Sequence, residues 1–366
     1  MQLFNLKDNE FFIALIVVRI RCKLVSHKPF LHSYCISYIS SCNAVLSKHY
    51  AITLYSSPSY TMNTNTTPLF HGMTWSALGI INKEMVRRAM GEVANQIGTF
   101  VTKEKASEHR TDDLVTSADY AAQQIYVKLI EETTPNAGIV AEENGLKRDP
   151  QEWESLVYTI DPVDGTKALV RTQSDGIGTL LGVVDATKQE IIAAYVGDIM
   201  TQELYYYRPD GGSVHRINLR FPEKAIDLAY KPKTHKRLLM LDDIRNFPKR
   251  AQQLTESTGE WYYDSIGIYN GSIGTNMARL RKGEVDAALL KWGITYPRDR
   301  VPVAGISGRL WFDLIEIKAG KIMDILPIQK TMSLDTQNFW TMLIVHKSTT
   351  QALCKALWDV GVDQLQ

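Results

Sequence analysis

Thr159-Ile160-Asp161-Pro162-Val163-Asp164-Gly165-Thr166 is the stretch on which the reading of this 366-residue chain turns. An apolar, β-rich run enters a turn that holds two carboxylates three residues apart, and a Gly and a Thr follow where a helix can start. Pro162 restricts Asp161 to an extended backbone, which aims its side chain. Gly165 lets backbone N–H groups approach an anion, and a helix N-terminus beyond it adds partial positive charge. An isolated Asp-Pro-x-Asp-Gly string is also an ordinary turn signature, so its surroundings decide.

Upstream, the apolar run 138–141 ends in Glu142-Glu143, and Asp113-Leu114-Val115-Thr116-Ser117-Ala118-Asp119 supplies a third acid at an expected helix start. If the two strands are neighbours, their terminal carboxylates face one crevice, where several of them cannot stay ionised without cations. Hard oxygen ligands in that number suit Mg²⁺, which binds few carboxylates directly and leaves room for water and phosphate.

Around this centre the periodicity is regular. Leu78, Ile81, Met85, Ala89, Val93, Ile97 and Phe100 recur at helical steps behind a Thr74 or Ser76 cap, and a second helix is expected over 117–132. Strand-like runs follow at 138–141, 156–160, 179–184, 191–196 and 203–207, which predicts an antiparallel sheet flanked by the helix pair. Pro209-Asp210-Gly211-Gly212 marks a boundary. Beyond it, strands near 237–241, 266–269, 285–290 and 340–345 alternate with helices near 248–257, 272–282, 310–318 and 349–360, a smaller α/β unit. The expected division is an N-terminal extension over 1–73, a metal-binding α+β domain over 74–209 and an α/β domain over 210–366 that completes the site.

Composition excludes several classes. Lys and Arg number 41 against 40 Asp and Glu, so no global field attracts a nucleic acid polymer. Four cysteines make no disulfide scaffold, and no Cys/His cluster has zinc spacing. The net charge of +1 is uneven: residues 1–70 carry six basic and two acidic side chains, and the remainder is at −3. The apolar run 11–18 is well short of the roughly 20 residues that cross a bilayer, so no membrane span is expected. The segment reads as a presequence, a signal-like stretch, or an extension outside the working protein, with Met62 and Met73 as alternative starts. A cytoplasmic protein is expected, or a mitochondrial or plastid one if the segment is a presequence. His109, His215, His235 and His346 have no ligand spacing and read as surface or satisfied core residues.

Val115-Thr116-Ser117-Ala118-Asp119, Ala141-Glu142-Glu143 and Asp161-Pro162-Val163-Asp164-Gly165-Thr166 stand in the order in which they occur in the inositol monophosphatase-like superfamily of Mg²⁺-dependent, lithium-sensitive phosphatases, which the chain resembles. The resemblance implies a layered αβαβα sandwich and hydrolysis of a small phosphate monoester, of inositol phosphate type, by metal-activated water. It implies that Glu142 and Asp161, with the backbone carbonyl of Val163, hold a first metal and that Asp161 and Asp164 hold a second, two or three Mg²⁺ in all. By the same resemblance Asp119 and Thr166 orient and deprotonate the water, Gly165 and Thr166 N–H groups hold phosphate, and Glu143 sits near the site.

The family's second-domain motif is Trp-Asp before a small-residue helix. Here Leu310-Trp311-Phe312-Asp313-Leu314-Ile315 has Phe312 between Trp and Asp, which makes Asp313 the candidate ligand and Asp324 the fallback. Glu284 and Asp286 read as structural. The stretch 291–309 reads as a solvated loop, although its Arg298, Arg300 or Arg309 could meet a second phosphate. Lys167 after Thr166 tilts slightly towards a 3'(2'),5'-bisphosphate nucleotide, and a sugar bisphosphate stays open. A metal-binding scaffold without turnover is the alternative of another class. The expected partner is a small phosphorylated metabolite, and the resemblance alone implies a homodimer.

Overall fold

The computed structural model describes residues 73–104, 114–151, 154–230, 236–256, 263, 265–291, 294–317, 324–325, 333–336 and 341–358. The N-terminal extension up to residue 72, Asp113, His109 and His235 lie outside the described residues. In chain order the elements are α1 (Trp75–Gln96), β1 (Thr102–Glu104), β2 (Leu114–Thr116), α2 (Ser117–Thr133), β3 (Gly138–Ala141), β4 (Lys147–Arg148), β5 (Leu156–Asp164), α3 (Thr166–Val170), β6 (Gly178–Asp185), β7 (Glu190–Asp198), β8 (Glu203–Tyr207), β9 (Val214–Asn218) and β10 (Phe221–Leu228). There follow β11 (Arg237–Met240), α4 (Lys249–Gln252), β12 (Ser265–Ile268), α5 (Ile273–Arg281), β13 (Ala287–Lys291), α6 (Pro297–Arg309), β14 (Phe312–Ile317), β15 (Asp324–Ile325), β16 (Thr341–His346) and α7 (Lys347–Trp358).

Two large sheets organise the chain. The first has the order β10-β9-β8-β7-β6-β5-β3-β4 and the second β12-β11-β13-β16-β14-β15; β1 and β2 form a separate two-stranded ribbon. Three cores separate five layers, because strand side chains alternate between faces. Leu181, Val183 and Tyr195 turn to one face of the first sheet and pack with Leu78, Val86 and Tyr126 of the α1/α2 pair. Their neighbours Leu180, Val184 and Ala194 turn the other way, against Met277 and Val301 of α5 and α6, which also cover Leu290 and Ile344 of the second sheet. Leu289, Ile315 and Val345 face outward from the second sheet onto Leu254 and Leu353. The expected αβαβα sandwich is this arrangement.

Several details differ from the expected pattern. The first sheet is mixed, since β3 and β5 run parallel, Gly138 opposite Val157, while the rest is antiparallel. The Pro209–Gly212 turn does not end that sheet: β9 and β10 continue it as far as Leu228. The helix expected over 310–318 is strand β14, buried along its whole length. Its run of Phe, Leu and Ile suits a strand covered on both faces. The loop expected over 291–309 is largely α6, with Pro297 at its first turn, where a missing N–H costs nothing. Thr74 caps α1 by accepting from Ala77 N at 3.1 Å.

Candidate active site

The site lies where β3 and β5 end side by side. Parallel pairing of Ala141 with Ile160 brings Glu142 and Asp161 to the same edge. In β5 the ladder slips by one residue, because Asp161 pairs with Leu180 but Asp164 pairs with Gly178. This β-bulge holds Pro162 and Val163 and re-aims the two carboxylates that flank it. Gly165 follows with φ +97°, and a Cβ there would meet Gly176 O at 2.3 Å and Ser272 N at 2.7 Å, so only glycine fits.

Asp119 occupies the third position of α2 and performs two tasks with its two oxygens. Oδ2 accepts from Thr116 N at 2.9 Å and from the Thr116 hydroxyl at 2.5 Å, a capping box that locks the side chain. Oδ1 is thereby aimed at Thr166 Oγ1, 2.9 Å away, and that hydroxyl also lies 3.1 Å from the Val163 carbonyl. One turn further along α2, Gln123 clamps the backbone of Glu143, accepting from its N–H at 2.8 Å and donating to its carbonyl at 3.0 Å. Gln123 thus fixes the turn that carries Glu142, with Glu143 itself buried.

Asp164 is tied to the far half of the chain. It accepts from the Ser272 hydroxyl at 2.5 Å, Ile273 N at 3.1 Å and Gly274 N at 2.7 Å, and so serves the open N-terminus of α5. Oδ2 takes two of these bonds and Oδ1 one, which leaves Oδ1 capacity for a further partner.

A fourth carboxylate joins Glu142, Asp161 and Asp164 from outside the expected set. Asp299, in the first turn of α6, is half-buried beside Asp161, and the charges of Asp161, Asp164 and Glu142 act on one another and on it. Its position follows from the close approach of α6 to the first sheet, where a Cβ on Gly182 would stand 2.5 Å from Val301. Burial first, then the neighbouring carboxylates, push Asp299 up to about 7, even though Arg298 opposes them. Burial and the same neighbours raise Asp161 well above the usual carboxylate range, and burial raises Asp164 against the pull of its Ser272 and α5 bonds.

Asp313 is elsewhere. It lies in β14 of the second sheet and accepts from the Thr350 hydroxyl of α7 at 2.7 Å. Phe312 and Leu314 face the layer that holds α6, and Asp313, one residue out of phase, faces the opposite side beside Ile315. A strand alternates where a helix does not, so reading 310–318 as a helix misplaced this side chain. Asp324 is in β15, paired with Glu316 of the same sheet. Asp299 instead stands in the first turn of a helix, α6, within the stretch that reads as a loop. The local signals of that helix are Pro297 at its first position and an acid in its first turn.

The basic residues separate just as clearly. Arg300 is buried and donates to the carbonyls of Ile294, Thr295, Ser333 and Asp335, a structural clamp. Arg309 lies over the Tyr207 ring, 4.9 Å from its centroid. Arg298 alone joins the site, with Nε 3.3 Å from Glu142 Oε2. His215 pairs with Asp227 and His346 meets Ser348, away from the carboxylates.

The chemistry of this donor set fits a hard divalent cation: four clustered carboxylates, and Asp161 Oδ1 buried with no hydrogen-bond partner. Among the described residues no group of three or more His, Cys, Asp or Glu side chains already stands in position to hold an ion. Glu142 faces Arg298 instead.

A model of the inositol monophosphatase family matches residues 75–292. The inositol-1-monophosphatase of Bacillus subtilis (strain 168) is 29% identical over 132 residues, 36% of this chain and 48% of that protein, so the match spans about half the relative's length. Among solved structures, an IMPase/NADP phosphatase complexed with Mg²⁺ and phosphate superposes with a TM-score of 0.58 at 18% identity, covering 78% of this chain and 97% of the other. Inositol monophosphatase II of Staphylococcus aureus MSSA476 gives 0.55 at 16%, covering 79% and 96%. Among the described residues no helix is long and apolar enough to cross a membrane.

Proposed function

The chain belongs to the inositol monophosphatase family, and we propose that it is a Mg²⁺-dependent phosphatase that hydrolyses a small phosphate monoester of inositol phosphate type. The observation that carries this reading is the unbonded, buried Asp161 Oδ1 among Glu142, Asp164 and Asp299, beside the Thr166–Asp119 pair. Glu142 and Asp161, with the Val163 carbonyl, would hold one ion, and Asp161, Asp164 and Asp299 a second. When bound, Mg²⁺ supplies neutralising charge for a dianionic ester and lowers the pKa of water.

The protein's own part is proton handling and orientation. Thr166 Oγ1 takes a proton from the attacking water as it passes its own to Asp119 Oδ1, whose rotamer the Thr116 cap has fixed. Gly165 and Thr166 N–H groups would receive phosphate oxygens at the turn that only glycine can make. Water adds to phosphorus, the ester oxygen leaves and is protonated, and an alcohol and inorganic phosphate result.

Phosphate release with and without Mg²⁺ tests this on inositol phosphates, 3'-phosphoadenosine 5'-phosphate, fructose bisphosphate and histidinol phosphate. The expected result is Mg²⁺-dependent release, fastest on an inositol phosphate. Faster turnover of a bisphosphate would move the substrate, and no turnover on any of them would defeat the enzyme reading.

A further inference from the structure

We infer that Arg298 is a tethered cation that neutralises Glu142 in the metal-free protein and must release it before a divalent ion binds there, so that Arg298 sets the metal affinity of the site. The inference rests on the metal-dependent reading proposed above.

Three features of its placement support this. Arg298 stands in the first turn of α6, where the helix dipole disfavours a cation. Only the surrounding carboxylates make a largely buried guanidinium tolerable there, and Glu142, Asp299 and Asp161 all act on it. Second, Nε approaches Glu142 Oε2 at 3.3 Å yet forms no aligned hydrogen bond. The pair is held by charge more than by geometry, which makes it exchangeable. Third, the guanidinium carbon lies 4.2 Å from the centroid of the Tyr296 ring, a contact that does not depend on Glu142. A divalent ion and a guanidinium cannot both sit against the same carboxylate oxygen, because like charges in a buried site repel with little screening.

Calorimetric titration of Mg²⁺ into wild type, R298Q, E142Q and R298Q/E142Q tests the inference, each protein first shown to be folded by thermal melting. R298Q is expected to bind Mg²⁺ about tenfold more tightly, or to take up one further ion. R298K, which keeps the charge, should stay near wild type. In the E142Q background the Arg298 substitution should no longer give the tenfold gain or the further ion, since the carboxylate for which the two cations compete is gone. Unchanged or weaker binding by R298Q overturns the inference, and so does a raised KM at unchanged metal affinity, which would give Arg298 to the substrate phosphate. If wild type and R298Q both take up no Mg²⁺, the phosphatase reading fails and the inference falls with it. A Mg²⁺-induced thermal shift larger in R298Q than in wild type is the second readout, independent of turnover.

Discussion

Ser272 donates its hydroxyl to Asp164 Oδ2 at 2.5 Å across 108 residues of sequence. Together with the Ile273 and Gly274 N–H bonds, this makes one carboxylate both a candidate metal ligand and the cap of α5. Occupancy of the site and attachment of α5 to the first sheet are therefore coupled through a single side chain.

Sequence alone suggests that Asp164→Asn removes turnover with the fold intact; the structure predicts otherwise. An Asn amide would present N–H to donors that need an acceptor, so D164N should lose about 1–3 kcal/mol of stability as well as Mg²⁺ binding. Ser272→Ala should cost about 1 kcal/mol and keep Mg²⁺ binding. E142Q should lose the ion that this carboxylate holds and also some stability, because it takes away a charge that neutralises Arg298. Denaturant melts alongside Mg²⁺ titration check all three, and a D164N protein as stable as wild type would refute the capping role.

Asp299→Asn and Asp313→Asn should separate cleanly. D299N is expected to lose Mg²⁺-dependent turnover while folding normally. D313N should keep turnover and lose about 1 kcal/mol through its Thr350 bond. Steady-state rates and thermal melts of the pair decide, and the reverse pattern would return the ligand to β14.

Thr166→Ala should lower kcat about 10²-fold and leave Mg²⁺ affinity nearly unchanged, because the hydroxyl relays a proton to Asp119 and carries no charge. An unchanged rate would take Thr166 out of the mechanism.

The metal-free protein should lose stability as pH rises from 5 to 8. Asp299 sits at about 7 in the fold against an ordinary value of 3.8. A carboxyl raised by folding stabilises fully below its unfolded value, and that contribution is lost as pH rises through the folded value. Mg²⁺ relieves the repulsion among the carboxylates that appears as they ionise, so the Mg²⁺-induced rise in Tm should be larger at pH 8 than at pH 5. Equal shifts at the two pH values would contradict this.

Local sequence carried much of the near half of the site. The cap-and-acid pattern at Thr116 and Asp119, the strand ends before Glu142 and Asp161, and the glycine forced at 165 each follow from a few adjacent residues. Nothing local marks Gln123, because its partner, the Glu143 backbone, is 20 residues away. Asp299 falls in the stretch 291–309, which reads locally as a solvated loop, and Asp313 stands out because it follows Trp311 with only Phe312 between them.

What the sequence by itself determined is therefore the layered α/β pattern and the acidic turn at 161–166, both written in short-range periodicity and turn chemistry. Only the tertiary structure decided which distant carboxylate joins them. A helix packed through Gly182 brings Asp299 to the cluster, and the two-residue period of β14 turns Asp313 to the opposite side of its sheet. The same packing buries the charges together, which raises their proton affinity and sets Arg298 against Glu142.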